Sequence, residues 1–387
     1  MAKYIPPLQI NNKSSQVVPM ESNVFVTPYR DKALTAEVTE AIKKLADGKH
    51  YRLMHICGTH EDTISRFGIR DVLPKNVEVV AGPGCPVCIV PVQEINATIR
   101  LSMLRGVIIT TFGDMYRVPG DKGSLRDAEA RDAANVKVVY SITDAIKLAE
   151  KYRELNVVHF AIGFETTAPS TAAVLLENPP ENFSILCSHR LIPPTIEFLL
   201  KLGESKIDGF ILPGHVSTII GSKSYEYISE TYKIPQVVAG FEPLDVILGV
   251  LILLKQIKDG VARVENEYVR AVKPEGNVKA KKLVEKVFEV KDAAWRGLGL
   301  IPKSGYTLRG EFRKFDAISK FNIQMETPER ETAPGCRCGE VLRGIVRPEE
   351  CPLFGKTCTP RHPVGACMVG SESTCAITYK YRGISRL

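Results

Sequence analysis

The chain has 387 residues, 44% of them hydrophobic and 25% charged. That length and balance exclude a disordered or fibrous chain and allow two or three folded units. Its 51 basic and 44 acidic residues leave a formal charge of +7 with no Lys/Arg block or aromatic-basic stripe, which argues against nucleic acid as a partner. The longest apolar run, Val246 to Leu254, is too short to span a bilayer, and the N-terminus carries no signal-peptide core. A cytoplasmic protein without a membrane partner is expected, so its ten cysteines are expected as reduced thiols available for metal or redox chemistry.

Residues 1–35 mix Pro, Asn, Ser and Lys without periodicity and read as an extended arm. Helical spacing begins at Ala36 and runs to Ala46. From about residue 50 to 245, short β-branched runs alternate with helical segments, the pattern of βαβ units with buried parallel strands. The predicted strands are Tyr51–Ile56, Val77–Ala81, Gly106–Thr111, Val136–Tyr140, Val157–Ile162, Phe183–Cys187, Gly209–Leu212 and Gln236–Ala239. Asp245–Lys258 reads as a buried helix and Val278–Val290 as an amphipathic one. After Pro328 the chain is rich in Cys, Pro, Gly and Arg, poor material for an ordinary core and typical of a small unit stapled by metal or disulfides. The expected architecture is therefore α/β: two similar parallel-sheet domains, 36–150 and 151–327, facing a cleft, followed by a small irregular cysteine-rich domain, 328–387. Two partial echoes support similar halves, Val79-Val-Ala-Gly-Pro83 against Val237-Val-Ala-Gly-Phe241 and Ile56-Cys-Gly-Thr-His60 against Leu186-Cys-Ser-His189.

Nearly every predicted strand runs into a Gly-containing polar segment, and open α/β sheets bind ligands at their carboxyl ends. Cys57-Gly-Thr-His60 puts a thiol and an imidazole at one such end, a pair able to ligate iron or act as a nucleophile. Cys85-Pro-Val-Cys88 follows another strand and has the spacing of a redox-active dithiol or of half a metal site. Asp114, Glu165, His215 and Glu242 end further strands, where each taken alone serves equally well as a helix cap. Phe164-Glu-Thr-Thr-Ala-Pro169 reads as a turn and helix start, and no G-x4-G-K-S/T phosphate loop occurs. Cys187 sits in an apolar stretch and reads as core packing.

Six of the ten cysteines, Cys336, Cys338, Cys351, Cys358, Cys367 and Cys375, fall after residue 335. Their spacing, C-x-C-x12-C-x6-C-x8-C-x7-C, lacks the C-x2-C knuckle common in zinc sites. It favours an iron-sulfur cluster over structural zinc without excluding the latter.

Together the strings His55-Ile-Cys-Gly-Thr-His60, Gly82-Pro-Gly-Cys-Pro-Val-Cys88, Phe112-Gly-Asp-Met115, Arg117-Val-Pro-Gly120, Gly163-Phe-Glu-Thr-Thr-Ala-Pro169, Leu212-Pro-Gly-His-Val-Ser217, Cys338-Gly-Glu-Val-Leu-Arg-Gly344 and Phe354-Gly-Lys-Thr-Cys358 resemble the HypD family of NiFe-hydrogenase maturation factors, from about residue 30 to 380. The resemblance implies a scaffold that, with the partner HypC, holds the iron on which an Fe(CN)2CO group is put together. HypE supplies the cyanide, and HypC connects the scaffold to the hydrogenase large subunit. It further implies that Cys57, beside His60, takes part in binding the nascent iron group, that Cys85 and Cys88 form the redox pair, and that Asp114, His215 and Glu372 are polar residues near these thiols. The 4Fe-4S cluster ligands carried over by motif are Cys338, Cys351, Cys358 and Cys375, with Cys336 and Cys367 unassigned. Ser373 stands where that family usually has glycine, which leaves the conformation of the loop before Cys375 open. The competing reading from a different class is a zinc-stabilised thiol hydrolase acting through Cys57 and His60.

Overall fold

The computed structural model describes residues 30–132 and 134–382. The arm expected over 1–35 therefore lies, up to residue 29, outside the described residues. In chain order the strands are β1 (Tyr51–His55), β2 (Val77–Ala81), β3 (Val107–Thr111), β4 (Val136–Val138), β5 (Asn156–Gly163), β6 (Phe183–His189), β7 (Gly209–Pro213), β8 (Gln236–Ala239), β9 (Val264–Asn266), β10 (Phe288–Trp295) and β11 (Gly299–Leu308). All eight predicted strands are present, each within two residues of its expected bounds.

The strands form two parallel sheets, one ordered β2-β1-β7-β8-β9 and the other β4-β3-β5-β6. Both are buried by helices on their faces, which is why their strands are continuous apolar runs: every residue of β3 and β7 is buried. The helix Pro243–Lys258 lies against β7 and β8 and also packs on the helix Lys32–Leu45. Its start is fixed by a proline in the first turn and by reciprocal bonds between Glu242 and Asp245.

The sheets do not divide the chain at residue 150. β1 and β2 belong with β7, β8 and β9, while the four-stranded sheet is built from the continuous stretch between them. Strand pairing is non-local, and β1 needs neighbours on both edges: Leu53 lies opposite Val79 on one side and Gly209 on the other. The echo between residues 79–83 and 237–241 accordingly joins β2 and β8 of one sheet rather than two facing halves. The helix predicted over 278–290 ends at Val287, and Phe288 begins an antiparallel hairpin, β10 with β11. Trp295 in this hairpin is fully buried and donates its indole N–H to the Ser304 hydroxyl at 2.8 Å.

The cysteine-rich tail has little regular structure beyond the short helices Cys338–Leu342 and Thr374–Tyr381. It does not form a core of its own. Cys338, Val341, Cys367, Met368 and Val369 belong to the same apolar cluster as Ile56, Val80, Cys85 and Cys88, and helix Thr374–Tyr381 packs on helix Gly58–Arg66. Among the described residues no helix is long and apolar enough to cross a membrane.

Candidate functional site

The carboxyl ends of β1, β2 and β7 are neighbours, so the loops bearing Cys57 and His60, Cys85 and Cys88, and His215 lie side by side. Cys57 follows β1 in extended conformation and precedes helix Gly58–Arg66. Its thiol is buried, and burial pushes it up to about 11 although the N–H groups of His60 and Thr59 oppose that rise. Three backbones meet here. Gly58 N–H donates to Gly84 O at 3.2 Å, a Cβ on Gly84 would stand 2.2 Å from Cys57 N, and a Cβ on Gly58 would stand 2.2 Å from Glu372 O. Only glycine at both positions allows the two thiol loops and the tail to pack this closely.

His60 is fully buried, and burial lowers its imidazole to about 3, so the ring is neutral. Its Nε2 lies 2.9 Å from Gly240 O and 3.3 Å from Ala239 O, which fixes the proton on Nε2. Nδ1 is then a lone pair, buried without a partner. The Cys57 carbonyl is held by His55 Nδ1 at 3.1 Å, and His55 Nε2 is 2.8 Å from Glu61. Burial acts to raise the Glu61 carboxyl, but Arg70, at 2.7 and 2.9 Å, and His55 hold it well below the usual range.

Glu372 joins this group: its Oε1 accepts the Thr59 hydroxyl at 3.1 Å, and burial raises its carboxyl. Asp114 instead anchors the tail, accepting Ser371 N–H at 2.8 Å and the Ser371 hydroxyl at 3.0 Å, with Arg117 3.3 Å away. His215 is exposed and stacks on Phe241 at 3.9 Å, and Phe241 in turn lies 5.2 Å from the His60 ring. Phe241 thus separates His215 from His60. Glu165 and Glu242 make other contacts: one accepts Ile192 N–H, the other pairs with Arg30.

The dithiol is buried. Cys88 N–H donates to Cys85 Sγ at 3.4 Å, and the Ser373 hydroxyl lies 3.0 Å from Cys88 Sγ and 3.3 Å from Cys85 Sγ. Burial opposes charge on both sulfurs, yet hydrogen bonds with Cys367, Cys85 and Ser373 bring the Cys88 thiol down to about 6, while Cys85 is pushed up. Ser371 and Arg117 were not among the sequence's site candidates, although Arg117 opens one of the strings that carry the family resemblance.

All six tail cysteines line one hollow, walled otherwise by Val341, Phe354, Gly365 and Met368. Six soft donors with no carboxylate or imidazole among them suit an iron-sulfur cluster. No three His, Cys, Asp or Glu side chains among the described residues are arranged to close on a single metal ion. Within the cage, Cys338 Sγ lies 2.7 Å from Cys367 Sγ, and Cys367 is also close enough to Cys375 and Cys88 to perturb their thiols. Cys367 therefore joins the tail thiols to the strand-end dithiol, a role its position in the sequence does not reveal. Cys187, on β6, meets Tyr306 O at 3.5 Å in a separate part of the core.

Fold and site together define an α/β protein with thiols at the ends of one parallel sheet joined to a cysteine-lined cage. Residues 33–382 match HypD, described as the hydrogenase formation hypA family, and the chain belongs to that family. It is 50% identical over 360 residues to a Methanocaldococcus jannaschii protein named for hydrogenase expression and formation, covering 92% of this chain and 99% of that one. Hydrogenase maturation factors HypD of Rhizobium leguminosarum and Escherichia coli are 45% and 42% identical, covering 92% of this chain and 95% and 98% of theirs.

Proposed function

We propose that this hydrogenase maturation factor works with HypC as a scaffold that holds iron while its cyanide and carbonyl ligands are attached, HypE supplying the cyanide. The observation that carries the reading is the contact of Cys367 with both Cys338 and Cys88, which joins a cluster-type cage to a dithiol beside Cys57. Cys57 and the free Nδ1 of His60 offer the incoming iron a thiolate and an imidazole, and Glu372 offers a carboxyl able to take the proton that Cys57 must release.

Cys351, Cys358 and Cys375 would hold a 4Fe-4S cluster. The close approach of Cys338 to Cys367 favours Cys336 over Cys338 as the fourth ligand and leaves Cys338 and Cys367 as a second dithiol. When bound, such a cluster supplies single electrons. The protein's own thiols exchange two at a time: Cys88 thiolate attacks Cys367 of a Cys338–Cys367 disulfide, forming the Cys88–Cys367 bond and releasing Cys338 thiolate. Cys85, once deprotonated, then attacks Cys88, closes the Cys85–Cys88 disulfide and frees Cys367. The same steps in reverse return two electrons to Cys85 and Cys88.

The hydrolase alternative has less support. A nucleophile needs its base within hydrogen-bonding reach, whereas His60 Nδ1, the ring's lone pair, bonds no thiol and the Cys57 thiol is raised rather than activated. Anaerobic purification with co-expressed HypC tests the proposal. A brown complex with iron, acid-labile sulfide and infrared bands of bound cyanide and carbonyl is expected, and C85S/C88S should lose those bands while keeping the colour. A colourless zinc protein refutes the proposal, and undiminished bands in the double variant refute the thiol exchange.

A further inference from the structure

Ser373 precedes helix Thr374–Tyr381, where a serine hydroxyl ordinarily accepts a backbone N–H of the first turn. Here it makes no such bond. The fully buried hydroxyl instead accepts Gly370 N–H at 3.0 Å and faces both sulfurs of the Cys85/Cys88 pair, at 3.3 and 3.0 Å. Ser373 N–H donates back to Gly370 O at 3.0 Å, so the turn fixes the residue from both sides.

A hydroxyl has one proton to donate and two lone pairs to accept with. One lone pair is occupied by Gly370. The remaining sites, one acceptor and one donor, are matched when one sulfur is a thiol and the other a thiolate. Two thiolates would compete for a single proton, and a disulfide offers only weak acceptors. The bond to a thiolate is charge-assisted and about twice as strong as a neutral one.

We propose that Ser373 is a positioning residue of the Cys85/Cys88 couple: its hydroxyl stabilises the reduced pair as one thiol and one thiolate, and so makes the disulfide easier to reduce. This inference rests on the reading of that pair as redox-active. In the step concerned, the Cys85–Cys88 disulfide takes two electrons and one proton from a small dithiol. The dithiol closes to its own cyclic disulfide and releases its second proton to solvent. Stabilising the reduced form raises the reduction potential, as it does in strongly oxidising dithiol proteins.

The test uses the full chain, purified anaerobically and equilibrated at fixed pH with mixtures of reduced and oxidised dithiothreitol. Alkylation and mass spectrometry then measure the reduced fraction of the Cys85/Cys88 peptide. S373A and S373G should need about a tenfold higher ratio of reduced to oxidised dithiothreitol for half-reduction, a fall of about 30 mV. S373T, which keeps the hydroxyl, should stay within threefold of the parent. Circular dichroism restricts the comparison to folded variants, and the alanine and glycine changes provide two independent chances of one. If S373A or S373G half-reduces within twofold of the parent, or S373T shifts as far as S373A, the inference is overturned. If the parent forms no Cys85–Cys88 disulfide at any ratio, the redox reading beneath it fails as well.

Discussion

Gly84→Ala tests whether close packing of the two thiol loops matters for function. Gly84 does not adopt a positive φ, so what the position requires is space. An added Cβ would lie 2.2 Å from Cys57 N, 2.4 Å from Ile56 C and 2.5 Å from Cys57 Cα. These are backbone atoms of Cys57 and of the residue before it, and no rotamer change relieves the overlap. Restoring ordinary contact near ~3.5 Å needs a displacement of ~1 Å, with an overpacking cost of about 1–3 kcal/mol. A displacement of that size at a reacting group costs ~100-fold in rate. The expected result is a folded protein, less stable by that amount in urea titrations, with iron-group assembly followed by infrared absorption slowed by roughly two orders of magnitude. Gly310→Ala is the control, because a Cβ there meets nothing within 4 Å. Assembly by G84A within threefold of the parent would refute the idea that Cys57 must sit against the Cys85 loop.

Two further outcomes follow from buried titrating groups. Burial raises the Glu165 carboxyl from its usual value to about 7, with one oxygen bonded to Ile192 N–H and the other unpartnered. The folded state thus holds this proton more tightly than the unfolded chain, so the associated stability is complete below pH ~4.5 and is lost as pH rises through 7. Urea titrations of Glu165→Gln should therefore gain ~3 kcal/mol on the parent between pH 4 and 8, and a pH-independent difference would contradict this. Because burial holds the Cys57 thiol near 11, iodoacetamide should label it at pH 7 at least ~100-fold more slowly than an unburied cysteine. Labelling of Cys57 at the free-cysteine rate would show that the thiol is not shielded.

The strands were legible because buried parallel strands are short β-branched or apolar runs bounded by glycine and proline, as Val107–Thr111 and Gly209–Pro213 illustrate. Their partnership was not legible: β1 takes β7 as a neighbour across more than 150 residues, and no local pattern encodes that choice. The hairpin from Phe288 was read partly as helix because Val278–Val287 is amphipathic and no glycine or proline marks where it ends. At the site, cysteine identity and density announced the chemistry, but not which thiols pair. Cys338 and Cys367 are separated by 28 residues and meet only because the tail folds back on the core. Ser373 registered in the sequence as a departure from glycine, whereas the fold sets its hydroxyl between two sulfurs. His215 was grouped with the thiols through the family resemblance, and its stacking on the Phe241 ring could not be foreseen from the sequence.

The excursion of the chain out of the five-stranded sheet after β2 and its return at β7 also orders events during synthesis. As the polypeptide leaves the ribosome, residues 107–189 can close their own four-stranded layer early. Tyr51–His55 must wait for Gly209–Pro213 before its second edge is covered, and the cap over Cys85 and Cys88 arrives last, with Ser373. The enclosure around Cys85 and Cys88 is therefore completed only once the segment bearing Ser373 has folded back on the sheet.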